Sequence, residues 1–220
     1  MNDKELFIFD MDGVLIDSEP FWRQAQIQVL KLHGAHINID DCIEYTMGKR
    51  IDDIAKLWID HFSLSLNTKK LSEEILDKTV YLIEQFGEAK EGIYELIQLL
   101  KRSNYRIALA TSSSQPIITA VIDKLELNGI FELTLSADVV INGKPAPDVY
   151  LEVCNQMNVQ PQNAIALEDS FNGVCAAVSA GITTIAIPEF YDDRFKIANY
   201  RLSYINEVLT LMRTNSFSYR

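Results

Sequence analysis

The sequence has little of what would tie it to an oxidising compartment, a bilayer or a polyanion. Its 220 residues include three cysteines, Cys42, Cys154 and Cys175, widely scattered and with no pair at metal-binding or redox-motif spacing. They are expected to be reduced core residues. No stretch approaches the run of about 18 apolar residues that crosses a bilayer, and MNDKELFIFDMDG carries charge where a secretory peptide needs an apolar stretch. A cytoplasmic address is the expectation. The three histidines, His33, His36 and His61, stand apart and read as surface or packing residues. Positive charge is scarce too: 20 Lys and Arg against 31 Asp and Glu give a net charge of −11. That excludes nucleic acid and anionic membranes as expected partners, since both need a positive field. It also means that any phosphate ligand must be held by a local positive cluster or a bound cation. No internal repeat or low-complexity tract appears.

What is present suffices for a proper core, with 48% hydrophobic and 23% charged residues. Four short apolar runs, 5–10, 106–110, 164–167 and 183–187, have the length of buried strands. Between and after them lie stretches with apolar residues at helical spacing, 92–101, 116–125, 148–157 and 172–180. The alternation predicts a doubly wound α/β core of Rossmann type, a parallel sheet with helices on both faces and ligands at the carboxyl ends of its strands. The interval 16–87 breaks the pattern. It reads as helix after helix, clearest at 19–32, 51–62 and 71–85, and predicts an α-helical domain inserted between 1–15 and 88–220. The tail from Arg213 lacks periodicity and is expected to fray.

Asp10 and Asp12 stand two apart in FDMDG, at the end of the first run. Side chains on a strand alternate, so two acids at this spacing can point the same way, one to attack and one to move protons. Gly13 permits a tight turn that brings backbone N–H groups near an anion. Close carboxylates repel, which a cation with a preference for oxygen, such as Mg²⁺, would resolve. The bland alternative for a bare Asp-x-Asp is an acidic turn.

The wider signature FDMDGVLIDSEP resembles the first motif of the haloacid dehalogenase superfamily, in its branch of β-phosphoglucomutases and sugar phosphatases with a helical cap. Three more motifs match in order: ALATSSS at 108–114, GKPAPDVY at 143–150 and ALEDSFNGVCAA at 166–177. The resemblance spans the chain, because the helical insertion falls where this branch carries its cap. It implies that Asp10 is a nucleophile forming an aspartyl-phosphate and that Asp12 is the general acid and base. The implied Mg²⁺ ligands are the carboxylates of Asp10 and Asp169 and the backbone carbonyl of Asp12, with Glu168 positioning or completing the site. Thr111 and the N–H of Ser112 would donate to a phosphate oxygen, and Lys144 would neutralise nucleophile and phosphate. Ser113 reads as a second contact or a loop residue.

Each assignment has a plainer competitor. The 111–116 segment can be an ordinary helix start, Lys144 a solvated turn lysine, and Asp169 an N-cap for the helix that follows. TMGKRIDD, 46–53, resembles the loop with which this branch contacts the far end of its substrate, which makes Arg50 a candidate; two cations at a helix start can also be a solvated face.

The implied activity is hydrolysis of a small phosphorylated sugar or sugar alcohol, by a monomer. The rival within the branch is a phosphosugar mutase, which carries a histidine about ten residues beyond the acid/base aspartate; here that residue is Trp22. DSEPFW and GKRIDDIAKLW look instead like the hexitol-phosphate and 2-deoxyglucose-6-phosphate phosphatases. A receiver-type signalling domain shares the residue types but places its acidic pair before its phosphoacceptor, the reverse of the order here.

Overall fold

The structure, a computed structural model, describes residues 4–46, 49–190 and 192–214. The chain separates into two compact units, Met1–Asp17 with Glu88–Arg220, and Ser18–Gly87. It enters through strand β1 (Leu6–Phe9) and then runs through four helices, α1 (Glu19–Leu32), α2 (Ile39–Tyr45), α3 (Ile51–Phe62) and α4 (Thr68–Phe86). It continues as α5 (Ile93–Arg102), β2 (Arg106–Thr111), α6 (Gln115–Lys124), β3 (Leu133–Ser136) and α7 (Asp148–Met157). The last elements are β4 (Ala164–Glu168), α8 (Phe171–Ser179), β5 (Thr183–Ala186), β6 (Tyr200–Arg201) and α9 (Ile205–Arg213).

The six strands form one parallel sheet in the order β3-β2-β1-β4-β5-β6. β1 lies at its centre and every residue of LFIF is buried, as a strand covered on both faces requires. Leu6 and Ile8 of β1 join Ala108 and Ala110 of β2 and Ala164 and Ala166 of β4 in one apolar cluster. The alanines leave room for Val149, Tyr150, Val153 and Met157 of α7 and for Ala176 and Ala177 of α8. Alternation turns Phe7 and Phe9 to the opposite face, where the Phe9 ring meets Phe131 edge-on.

The sequence reading lacks β3, β6, α2 and α9. In β3 the apolar and polar residues of LTLS alternate at the edge of the sheet, and β6 has only two residues. The segment from β5 to β6 holds a 3₁₀ turn, Asp193–Ile197, in place of the helix that strict alternation would supply. α4 begins three residues earlier than its apolar spacing predicts, because the Asn67 side chain accepts a hydrogen bond from the Lys70 N–H and starts the helix there.

The regular elements among the described residues of the second unit are all helices. α4 packs against α1 and α3 around Ala25, Val29, Leu30, Ile54, Trp58, Leu71, Ile75 and Leu82. Full burial of each large aliphatic side chain contributes about 1.5–3 kcal/mol. Inside, the Trp58 indole N–H donates to Gln26 Oε1 at 2.9 Å, which lets both polar groups be buried without loss. His33 pairs with Glu74, and His61 packs among Tyr45, Trp58 and Phe62. All three cysteines are free thiols, Cys42 and Cys154 buried and Cys175 half-buried. Among the described residues no helix is long and apolar enough to cross a membrane. Most of the tail expected to fray, 215–220, lies outside them, whereas Arg213 ends α9.

Candidate active site

The site begins where β1 ends. The Asp10 N–H continues the ladder by donating to the Leu167 carbonyl at 3.0 Å, and the chain then turns sharply as Val14, Leu15 and Ile16 all donate to the Met11 carbonyl. Gly13 makes the turn possible at φ 77°, and a Cβ there would lie 1.9 Å from Asp169 Oδ2, so two elements approach through the missing side chain. Asp10 itself is 6% exposed.

The Lys144 side chain is buried with it. Its ammonium donates to Asp10 Oδ1 at 2.6 Å, to Glu168 Oε1 at 2.6 Å and to the Ala110 carbonyl at 3.0 Å, one bond each to the ends of β1, β4 and β2. Burial alone would depress its pKa, but Asp10 and Glu168 outweigh that and hold it well above the ordinary lysine value. The solvated-turn alternative for this residue is excluded.

Asp10, Glu168 and Asp169 each offer a carboxylate oxygen, all within 4.8 Å of one another. Burial raises the pKa of Asp10 well above the usual carboxylate range, and Glu168, Asp169 and Asp12 push the same way against Lys144. Asp169 is pushed up to about 7, again by burial first and then by Glu168. One ammonium among several carboxylates leaves a local excess of negative charge, and the donors are hard oxygens without a histidine or cysteine among them. This donor set fits Mg²⁺ or a similar hard cation.

Capping of α8 falls to Ser170, whose hydroxyl accepts from the Gly173 N–H at 3.0 Å. The cap suggested for Asp169 is therefore supplied by its neighbour, and its carboxylate is left to the acidic cluster. The Glu168 carboxyl is fully buried; Oε1 also accepts from the Tyr150 hydroxyl at 2.5 Å, and Oε2 from Ser170 Oγ at 3.4 Å.

Asp12 faces a different set. Its Oδ2 accepts from the Ser113 hydroxyl at 2.6 Å and, at the long distance of 3.5 Å, from Thr111 Oγ1. Thr111 is fully buried at the end of β2 and also accepts from the Ser113 N–H at 3.0 Å, while Ser112 is exposed beside it. The N-cap of α6 is Ser114, so Thr111 is not spent on capping. Two hydroxyls thus orient the carboxylate expected to handle protons, and Ser113, set aside in the sequence reading, is the closer.

Asp10, Asp12, Thr111, Lys144, Glu168 and Asp169 come together in the first unit. Arg50 belongs to the second, exposed as the N-cap of α3. Met47 and Gly48 of the TMGKRIDD loop lie outside the described residues. Trp22 is half-buried on α1 against the apolar core of that unit. Tyr150 and Gly173 touch the site without having been singled out. Both sit inside motifs quoted above, but a core tyrosine and a helical glycine carry no chemical signal of their own.

A parallel sheet in this strand order, with acids at the carboxyl ends of adjacent central strands, places the protein among the Rossmann-like α/β folds. Within that class the chain belongs to the haloacid dehalogenase-like hydrolase family, whose model matches residues 4–181. It is 32% identical over 205 residues to hexitol phosphatase B of Escherichia coli O157:H7, covering 91% of this chain and 92% of that one. A phosphorylated carbohydrates phosphatase of Thermotoga maritima is 30% identical over 181 residues, 82% of this chain and 83% of its own. Among solved structures, CbbY from Rhodobacter sphaeroides in complex with phosphate superposes with a TM-score of 0.83 at 27% identity, covering 93% of this chain and 96% of that one.

Proposed function

We propose that this protein is a Mg²⁺-dependent phosphatase of small sugar phosphates, hexose or hexitol phosphates, that works through an aspartyl-phosphate on Asp10. The observation that carries the reading is the Lys144 ammonium bonded to both Asp10 and Glu168 within a cluster of buried carboxylates. The similarity to a hexitol phosphatase over nine-tenths of the chain supports the substrate class.

Asp10 Oδ attacks phosphorus and the bond from phosphorus to the sugar oxygen breaks, with Asp12 giving its proton to that oxygen. Asp12 then takes a proton from water, whose oxygen attacks phosphorus; the Asp10–phosphorus bond breaks and inorganic phosphate leaves. Thr111 and the Ser112 N–H hold the phosphoryl oxygens, and Ser113 keeps the Asp12 carboxylate aimed. Mg²⁺ would be held by Asp10, Asp169 and the Asp12 carbonyl with help from Glu168, and would offset the repulsion between nucleophile and phosphate. In this reading residues 1–15 and 88–220 are the catalytic core and 16–87 a cap in which Arg50 binds the far end of the sugar phosphate. The enzyme acts as a cytoplasmic monomer.

The test is phosphate release from a panel of hexose, pentose and hexitol phosphates and phosphoglycolate, with Mg²⁺ and after EDTA. Turnover on a hexose or hexitol phosphate that EDTA abolishes and Mg²⁺ restores is expected; full activity after exhaustive chelation refutes the site. Trp22 cannot accept a proton as the mutase histidine does. With β-glucose 1-phosphate and a trace of the 1,6-bisphosphate, build-up of glucose 6-phosphate at a rate matching the best hydrolysis would establish the mutase instead.

A further inference from the structure

The chemistry proposed for Asp10 requires Lys144 and Glu168 to stay where they are, and one buried group touches both. Tyr150, on the first turn of α7, is fully buried. Its hydroxyl donates to Glu168 Oε1 at 2.5 Å, and the Lys144 ammonium lies 5.2 Å from the centroid of its ring. The tyrosine therefore meets the acid with its polar end and the ammonium with its π face, an attraction for a cation in its own right.

Packing alone does not account for the hydroxyl. Phenylalanine would fill the same space beside Val149, Val153 and Ala166, and a buried phenol has to find an acceptor. Here the acceptor is an ionisable carboxylate rather than a backbone carbonyl, and Oε1 takes two donors, Lys144 and Tyr150. Among the described residues, Oε2 accepts only the long contact from Ser170. The two ends of the carboxylate are thus unequal: one is saturated by protein donors, the other retains lone pairs.

We propose that Tyr150 is a positioning residue of this site, whose hydroxyl pins Glu168 Oε1, keeps the carboxylate locked to Lys144 and leaves Oε2 as the oxygen available to a cation. This rests on the proposed Mg²⁺ site. Partners that orient metal-binding carboxylates are worth about 10–100-fold in metal affinity or activity.

The variant is Tyr150→Phe, which keeps the ring and its face toward Lys144 and removes one oxygen. Mg²⁺ alone is titrated calorimetrically into the resting protein without substrate, and kcat and KM are measured separately on the best substrate of the panel. The expected result is a dissociation constant for Mg²⁺ weakened about tenfold or more and a lower kcat, with KM changed by less than about twofold. The same substitution is made in a Glu168→Gln background, where the neutral amide needs the donor less and the loss in Mg²⁺ affinity should vanish. A merely structural role would weaken both backgrounds alike, and that outcome overturns the assignment. Wild-type binding of Mg²⁺ with Tyr150→Phe unchanged overturns it as well while sparing the proposed function. A wild-type protein that binds no Mg²⁺ refutes both.

Discussion

Replacing Gly173 with alanine sets two effects of known size against each other. Gly173 is the third residue of α8, and in an ordinary helix the substitution would stabilise by about 1 kcal/mol. Here the new Cβ would lie 2.0 Å from Glu168 Oε2 and 2.1 Å from both Cδ and Oε1, far inside contact distance. The Glu168 carboxyl would have to leave, and with it the bonds from Lys144 at 2.6 Å and Tyr150 at 2.5 Å. Hydrogen bonds to charged groups contribute about 1.5–3 kcal/mol each, so two outweigh the helix gain and leave a net loss of about 2–5 kcal/mol. For a chain of this size that lowers Tm by about 4–20 °C. Activity should fall as well, because Lys144 loses one of the two carboxylates that fix it. Thermal unfolding of four proteins, wild type, Gly173→Ala, Glu168→Ala and the double variant, isolates the cause. If the clash is with Glu168, the sign reverses once Glu168 is gone, and Gly173→Ala then stabilises the Glu168→Ala protein by up to about 1 kcal/mol. A Gly173→Ala protein that melts at or above wild type, or an equal loss in both backgrounds, would refute the reasoning.

Three further outcomes are expected. Asp10→Asn should abolish turnover and leave a cooperative thermal transition, since the amide is nearly isosteric but is no nucleophile; activity within about tenfold of wild type removes Asp10 from that role. Asp12→Asn should slow hydrolysis of an alkyl phosphate far more than that of an aryl phosphate with a good leaving group, because only the first needs a proton; equal losses would confine Asp12 to the metal. With divalent cations chelated, the stability of the protein should decline as pH rises from about 4 to 7 and level off above that, read as Tm. The folded pKa of Asp169 is raised to about 7 from an ordinary 3.8, so the native state holds a proton that the unfolded chain releases, and the stability this gives is lost on passing through about 7. Excess Mg²⁺ should flatten the profile, and a flat profile under chelation would count against the crowded-carboxylate picture.

What could be read from the sequence follows from where each element is buried. β1, β2 and β4 are central, covered on both faces, and therefore appear as unbroken apolar runs. β3, at the edge, is half-buried in its first two residues, and its alternation over four residues is too short to distinguish from a loop. The acids at the ends of β1 and β4, Thr111 and Lys144 were singled out through the resemblance of four ordered motifs, since each alone also fits a plainer reading as a turn, a cap or a solvated lysine. Tyr150 and Gly173 were not, because their parts are defined by a distant neighbour. A tyrosine in the register of a buried helix face reads as core until its hydroxyl is seen against Glu168, and nothing local says that a helical glycine is facing a carboxylate. Ser113 was placed correctly in its loop but undervalued, since only the fold brings it 2.6 Å from Asp12, a hundred residues earlier.

The three bonds of Lys144 end on neighbouring strands at one level of the sheet. Phe9 is paired with Leu109 on one side and Leu167 on the other, and Asp10, Ala110 and Glu168 are the next step along each strand. The pairing of the strands thus serves as a ruler for the chemistry. Loops and the helical insertion can lengthen or shorten between relatives without disturbing this row, because none of them lies between a strand and its terminal residue. A single deletion within LFIF is another matter: it would slide Asp10 back by one place and turn its carboxylate to the opposite face of the sheet, away from the ammonium. The row of Asp10, Ala110 and Glu168 should therefore tolerate changes of length outside the strands and almost none within them, and this bounds where a designer can cut, insert or fuse.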